Sequence, residues 1–389
     1  PFKATFKPVI HSDYYSRNNL EVPTLCAHRS AQNYYTVDQS GKEHSAPFTV
    51  TFGLEYPASS TGASLANLDG FSETFEFSKP SGQSQPVTRE ESFVWNEVGS
   101  VLLKSDANYH DKELAQSTQT IGRFYPDYFR VTGTTWTEPD DQTGFTYMSQ
   151  NFKNVNFQVT AYNAATPNNQ PTNNYQHFDP TLTREFDLAG AYSDRVSIST
   201  SDLSRDYWNS GAIWDASFAN AQWWRLGQEQ SSTIPDGPFN SGDSYGTESK
   251  LKLAIVSDDD GDPAAFKLMS NELGAQEQQL LAQPHVRYGR MALADVGAST
   301  NQVVKIPLRV EYWQGTNGFV LSSGDNASQF DVDEQCREVI WSDVSTSSAE
   351  LFKLDPNETD TVFNGEATAV FARQGSDTSV NYNREQVRL

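Results

Sequence analysis

From Val304 to Tyr312 the chain alternates without a break. Val304, Ile306, Leu308, Val310 and Tyr312 take one side, and Lys305, Arg309 and Glu311 take the other. A period of two marks a β-strand with one buried face, because successive side chains leave opposite faces of a pleated backbone. Tyr288-Gly289-Arg290 leads through Met291 and Leu293 into a second strand, and a turn at Gly297-Ala298-Ser299-Thr300-Asn301 joins the two. The segment reads as scaffold, with no chemistry converging on it.

The rest of the chain follows the same grammar. Its 389 residues, with 23 Phe, 17 Tyr and 8 Trp, are enough for two or three domains with full-sized cores. Abundant aromatic residues, Thr and Val favour strands over helical bundles. No stretch approaches the roughly 20 apolar residues that cross a bilayer as a helix. Fifty acidic residues against 28 basic ones leave a formal charge of −22. That balance disfavours nucleic acid and anionic membrane surfaces, since there is no basic stripe to replace phosphate counterions. It suits a solubility coat in a salty or extracellular setting, or cation binding by part of the acidic surface. The first residue, Pro1, reads as the start of a mature product or of a piece of something longer.

Three consecutive units are expected. Residues 1–121 form a β-sandwich with strands at 48–52, 73–77 and 92–104, the last bent at Gly99. Residues 122–284 form a second sandwich with long loops at 133–144 and 163–175. Its strands include 155–161, 196–199 and 251–256, and two short helices are expected at 216–226 and 271–283. Residues 285–389 form a C-terminal β-domain. The fold class is thus all-β: two or three immunoglobulin-like sandwiches with a few short helices.

Candidate chemistry is sparse. Gly242-Asp243-Ser244-Tyr245-Gly246 matches a nucleophile elbow in letters, but it follows a Pro-Gly turn and precedes a strand, so it is read as a loop. Asp258, Asp260 and Asp262 surround Gly261 in an acidic turn that would hold Ca²⁺ weakly or simply stay solvated. The six His residues show no ligand spacing for a transition metal, and no pair of carboxylates stands out for glycoside hydrolysis. Trp223 and Trp224, in a stretch that also holds Trp208 and Trp214, would offer stacking faces to a sugar or a partner protein, or would fill a core. Cys26 and Cys336 would close a disulfide in an exported protein or stand as two buried thiols. Asn326-Ala327-Ser328 and Asn357-Glu358-Thr359 are glycosylation sequons that matter only in a eukaryotic secretory setting.

Several short phrases recur in a family order. They are the segment from Phe93 to Gly99 (FVWNEVG), Gly122 to Asp127 (GRFYPD), Tyr147-Met148-Ser149-Gln150 and Thr172-Asn173-Asn174-Tyr175. Pro235-Asp236-Gly237-Pro238, Asp260-Gly261-Asp262, Arg287-Tyr288-Gly289-Arg290, Pro307 to Trp313 (PLRVEYW) and Arg384-Glu385 follow. This series resembles the conserved C-terminal region of MshQ-like proteins, associated with the mannose-sensitive haemagglutinin type IV pilus of Gram-negative bacteria. The resemblance implies an exported cell-surface or pilus-associated protein without catalytic residues, acting in adhesion through pilus proteins or surface glycans. The chain departs from the family where a cysteine would follow the Trp-containing strand: here Gly324-Asp325-Asn326 stands, and Cys336 comes later. A carbohydrate-binding or carbohydrate-hydrolysing module, or a purely structural pilus assembly subunit, are the rival expectations.

Overall fold

The computed structural model describes residues 1–9, 30–31, 35–37, 39–77, 87–109, 112–113, 116–139, 144–164, 169–203, 207–227, 233–256, 264–269, 272–296, 304–330, 338–342, 352–354, 361–373 and 385–388. The fold is all-β, and the only helical segments among these residues are short 3₁₀ turns.

Three sheet systems follow one another. In the first, the strands Ser72–Glu76, Pro47–Tyr56 and Gly99–Tyr109 lie side by side, and Ser117–Phe124 also pairs with Gly99–Tyr109. Their core is largely phenylalanine: Phe48 stacks on Phe77 at 4.7 Å, and Phe93 meets Phe52 edge to face. Such rings bury much apolar area while keeping the edge-to-face geometry that aromatic quadrupoles favour. Ser117–Phe124 runs across residues 121 and 122, so the first sheet extends into the GRFYPD phrase.

The second system is a sandwich. A five-stranded sheet runs Trp208–Ser210, Ile213–Phe218, Asn154–Tyr162, Tyr128–Thr137, Ala265–Phe266. A three-stranded sheet of Phe186–Ala189, Lys252–Ile255 and Glu277–Gln279 shares its core. Val155, Phe157, Val159 and Ala161 alternate inward and are fully buried, as their spacing predicts. Phe186 of the smaller sheet lies 5.1 Å from Trp214 and 5.6 Å from Phe129 of the larger.

In the third system Gly289–Leu293 pairs antiparallel with Val304–Trp313, and Glu366–Arg373 lies on the other side of that strand. Leu308 and Val310 are buried with Phe330 and Val362, while Lys305 and Arg309 face solvent. The alternation therefore sets the sidedness of this sheet. The turn expected at residues 297–301 lies outside the described residues.

Four local expectations are corrected. Of the segments read as helices, 216–226 begins inside the strand Ile213–Phe218 and 271–283 contains the strand Glu277–Gln279. Trp214 and Phe218 are spaced by four, which is also twice two. Asp215 and Ser217 between them leave Trp214 and Ala216 buried on one side of a strand. Residues 92–104 are two strands, Arg89–Phe93 and Gly99–Tyr109, in different sheets. Gly99 has φ +116°, and a Cβ there would stand 2.0 Å from the Tyr56 carbonyl oxygen, so the chain changes sheet where only glycine fits. The loop expected from Gly133 begins later, because Tyr128–Thr137 carries its pairing through a slip between Val131 and Gly133. Val196 makes one isolated bridge, to Trp223, rather than a strand.

Candidate functional site at the joint between two β-units

Trp223 and Trp224 differ in burial. Trp223 is 0% exposed, with its ring 4.8 Å from Phe239 and 6.3 Å from Tyr192, and the Arg195 guanidinium lies 5.9 Å over it. It has no face to offer a ligand, and the expectation that it stacks on one is replaced by a core role. Trp224 is half-buried. Two residues further on, Leu226 is bridged to Ile234, and these two are 41% and 56% exposed. Arg225 stacks on Tyr288 at 4.7 Å and its Nη2 donates to the Gly289 carbonyl at 3.1 Å. Asp258, Asp260 and Asp262, and both cysteines, lie outside the described residues. Among the described residues no group of three or more His, Cys, Asp or Glu side chains could hold a metal. Ser244 sits exposed in its loop, as expected of a segment that is not an elbow.

Beneath Trp223, Arg195 is held in a buried fork. Its Nη1 donates to Asp236 Oδ2 at 2.8 Å, Nη2 to Oδ1 at 3.3 Å, and Nε to the Trp224 carbonyl at 2.8 Å. A planar guanidinium suits this two-oxygen grip. Asp236 belongs to the PDGP phrase, which thereby anchors the segment that bears Trp223 and Trp224.

The densest polar arrangement spans the second and third sheet systems. The two-residue strand Thr146–Tyr147 runs parallel to Val286–Arg287. Thr146 N donates to the His285 carbonyl at 2.9 Å, and Met148 N donates to the Arg287 carbonyl at 2.9 Å. From this ribbon the Tyr147 hydroxyl reaches Asp325 Oδ2 at 2.8 Å and Ser322 Oγ at 2.8 Å. Asp325 also accepts from Ser328 Oγ at 2.6 Å, Ser328 N at 2.9 Å and Ala327 N at 3.0 Å. Burial alone would raise the Asp325 carboxyl pKa, but these donors outweigh it and hold the group below the usual carboxylate value. Burial, and then the neighbouring Asp325 charge, push the Tyr147 phenol well above its ordinary range, so it stays a proton donor.

Arg287 closes the arrangement. Its guanidinium carbon lies 3.9 Å from the Phe145 ring centre and 4.5 Å from that of Tyr312, and Nη1 reaches Ser322 Oγ at 3.4 Å. Gly289 permits the close approach, since a Cβ there would stand 2.4 Å from the Tyr147 ring. Across the joint itself run the Tyr147–Asp325 and Tyr147–Ser322 hydrogen bonds, the stacking of Arg287 on Phe145 and the short parallel ribbon, which suits holding two units together.

A similar contact joins the first and second systems. Glu97 Oε1 accepts from Asn173 N and Oε2 from Asn174 N, each at 3.0 Å. Asn174 Nδ2 donates to the Ser64 carbonyl at 2.8 Å, and its Oδ1 accepts from Ser64 N at 2.9 Å. Burial raises the Glu97 pKa, and the backbone donors oppose it.

Sequence reasoning did not single out Tyr147, Arg287, Ser322, Asp325 or Glu97 as site residues. The signal was present in another form. Glu97 lies in FVWNEVG and meets Asn173 and Asn174 of TNNY, while Tyr147 of YMSQ pairs with Arg287 of RYGR. The diagnostic phrases are the ones that touch.

Comparison with known proteins divides the chain at the joint between the second and third sheet systems. Residues 97–283 match the family model described as DUF6701, third domain, and residues 287–388 match DUF6701, fourth domain. No curated protein matches. Among solved structures, a crystal structure from Corynebacterium diphtheriae described as a membrane anchored protein is similar at 10% identity, over 88% of this chain and 72% of that one. Its TM-score of 0.16 is too low to carry an argument. No helix among the described residues is long and apolar enough to cross a membrane.

Proposed function

Since the chain carries the third and fourth domains of the DUF6701 family, we propose that it works as a non-enzymatic, exported protein of the bacterial cell surface or pilus, with the MshQ-like role in adhesion that its phrases suggest. The observation that carries this reading is the joint. Two β-units are coupled by a buried hydroxyl–carboxylate clasp between Tyr147 and Asp325, not by a bare linker. An adhesive or assembly protein must transmit force and present its loops at a fixed angle, and a polar network that crosses between two units supports a joint of that kind. The partners would be pilus proteins or surface glycans.

The test is a pull-down of pilus subunits with the purified chain, run beside a glycan array. Retention of pilins without glycan affinity would favour an assembly subunit. Glycan binding abolished by Trp224→Ala would favour recognition of sugars, the second reading. Trp224 supports that reading by keeping part of its surface open beside exposed Leu226 and Ile234. Sugar release that depends on one carboxylate would overturn the non-enzymatic reading. The acidic turn bearing Asp258, Asp260 and Asp262 belongs to the proposal as a weak Ca²⁺ site. Calorimetric titration with Ca²⁺ against an Asp260→Asn variant tests it, and absence of heat would remove it.

A further inference from the structure

His285 directly precedes the strand Val286–Arg287 that forms the joint's ribbon. Its carbonyl accepts the Thr146 amide that starts the parallel ribbon, and its ring lies 6.1 Å from that of Phe145. Phe145 is also the ring on which Arg287 stacks. Nε2 of His285 is buried without a hydrogen-bond partner, while the side chain bonds the backbone of Gly144. A neutral imidazole fits this setting, with one nitrogen bonded and the other a bare acceptor. A protonated ring does not: it would carry a second N–H into a buried place with no acceptor and add a cation beside Arg287.

The charged and titratable groups around it come from several elements. Arg287 comes from its own strand, and Asp243 from the loop after Phe239. Glu138, at the end of the neighbouring strand, binds the Gly144 amide at 2.7 Å. Tyr147, Tyr312 and Asp325 surround Arg287 from the far side. The Asp243 charge favours the charged imidazole, and the Arg287 charge opposes it.

We propose that His285 is an acid sensor of the joint: once protonated, it weakens the pairing of Thr146–Tyr147 with Val286–Arg287 and lets the fourth domain move against the third. The proposal stands whether or not the adhesion reading does. Burial first, and then the Arg287 charge, lower the His285 pKa from its ordinary value of 6.5. An opened joint therefore takes up the proton more readily than the closed one. The closed state loses stability as pH falls from about 6.5 toward the lower folded value.

Hydrogen exchange of the intact chain, corrected for intrinsic rates, tests this at about pH 7.5 and about pH 5.5, on either side of an ordinary imidazole pKa. The amides of Thr146 and Met148 are the reporters, and that of Val159 in the sandwich core is the control. We expect several-fold loss of protection at the reporters on acidification and none at Val159. His285→Gln should abolish the difference, and His285→Lys should leave the reporters poorly protected at both values. Unchanged protection in the wild-type chain, or the same loss in His285→Gln, would overturn the proposal. Should that variant fail to fold, NMR titration of the His285 ring in the wild-type chain decides. A pKa at or above the ordinary imidazole value would sink it.

Discussion

Tyr147 and Asp325 are 178 residues apart in the chain, and their side chains meet at 2.8 Å in a buried setting. A carboxylate taken out of water is costly unless donors replace the solvent. Asp325 recovers most of that from its own turn, through Ala327 and Ser328. The remaining donor comes from the other domain. The turn is thus complete only when the third domain is in place, which links the local order of the fourth domain to the docking of the two.

Removing the phenolic oxygen tests that linkage. Tyr147→Phe leaves Asp325 short of one donor in a buried place, and bonds to charged groups contribute about 1.5–3 kcal/mol net. We expect urea unfolding to show a loss of that order. In a double-mutant cycle with Asp325→Ala, most of it should reappear as coupling energy. Coupling near zero would mean that the contact holds nothing.

Asp325 also sets an acid limit distinct from that of His285. Its folded pKa is depressed, so its contribution is complete above the ordinary carboxylate value of about 3.9 and is lost as pH falls through the lower folded value. Stability measured by denaturant should therefore decline in that acidic range. Asp325→Asn should flatten the decline while lowering stability at neutral pH.

Much of the scaffold was legible and little of the joint. Leu308 and Val310 could be placed because one face of their strand is buried and the other wet, which writes a period into adjacent letters. The segment 216–226, read as a helix, begins inside the strand Ile213–Phe218, so its first residues belong to a pattern of period two. Asp325 carried no local mark at all, since an Asp in a Gly-Asp-Asn turn is ordinary, and what makes it special arrives from Tyr147. Tyr312, read as one more apolar position on a scaffold strand, turns out to stack on Arg287 at 4.5 Å. A period reports burial, and burial does not say which cation a ring faces.

Gly289 offers an independent probe of the same contact. A Cβ at this position would stand 2.4 Å from Cδ1 of Tyr147, so Gly289→Ala must displace the ring. Overpacking of this kind costs about 1–3 kcal/mol. Placed in a Tyr147→Ala background the same change should be close to neutral, because the obstructing ring is gone. An equal cost in both backgrounds would show that the strain lies in the Gly289 backbone.

The adjacent tryptophans should separate stability from recognition. Trp223 is fully enclosed by Phe239, Tyr192 and Arg195, so Trp223→Ala opens a large cavity and should cost about 3–5 kcal/mol. The Trp224 backbone is bonded to Arg195 through contacts that survive side-chain truncation. Trp224→Ala should therefore cost much less in thermal unfolding while removing a half-buried ring near exposed Leu226 in the chain. If that variant unfolds as readily as Trp223→Ala, its ring is structural and the sugar-stacking reading loses its residue. If stability is kept and glycan or partner binding is lost, two neighbours in sequence have been assigned opposite tasks by how deeply each one is buried.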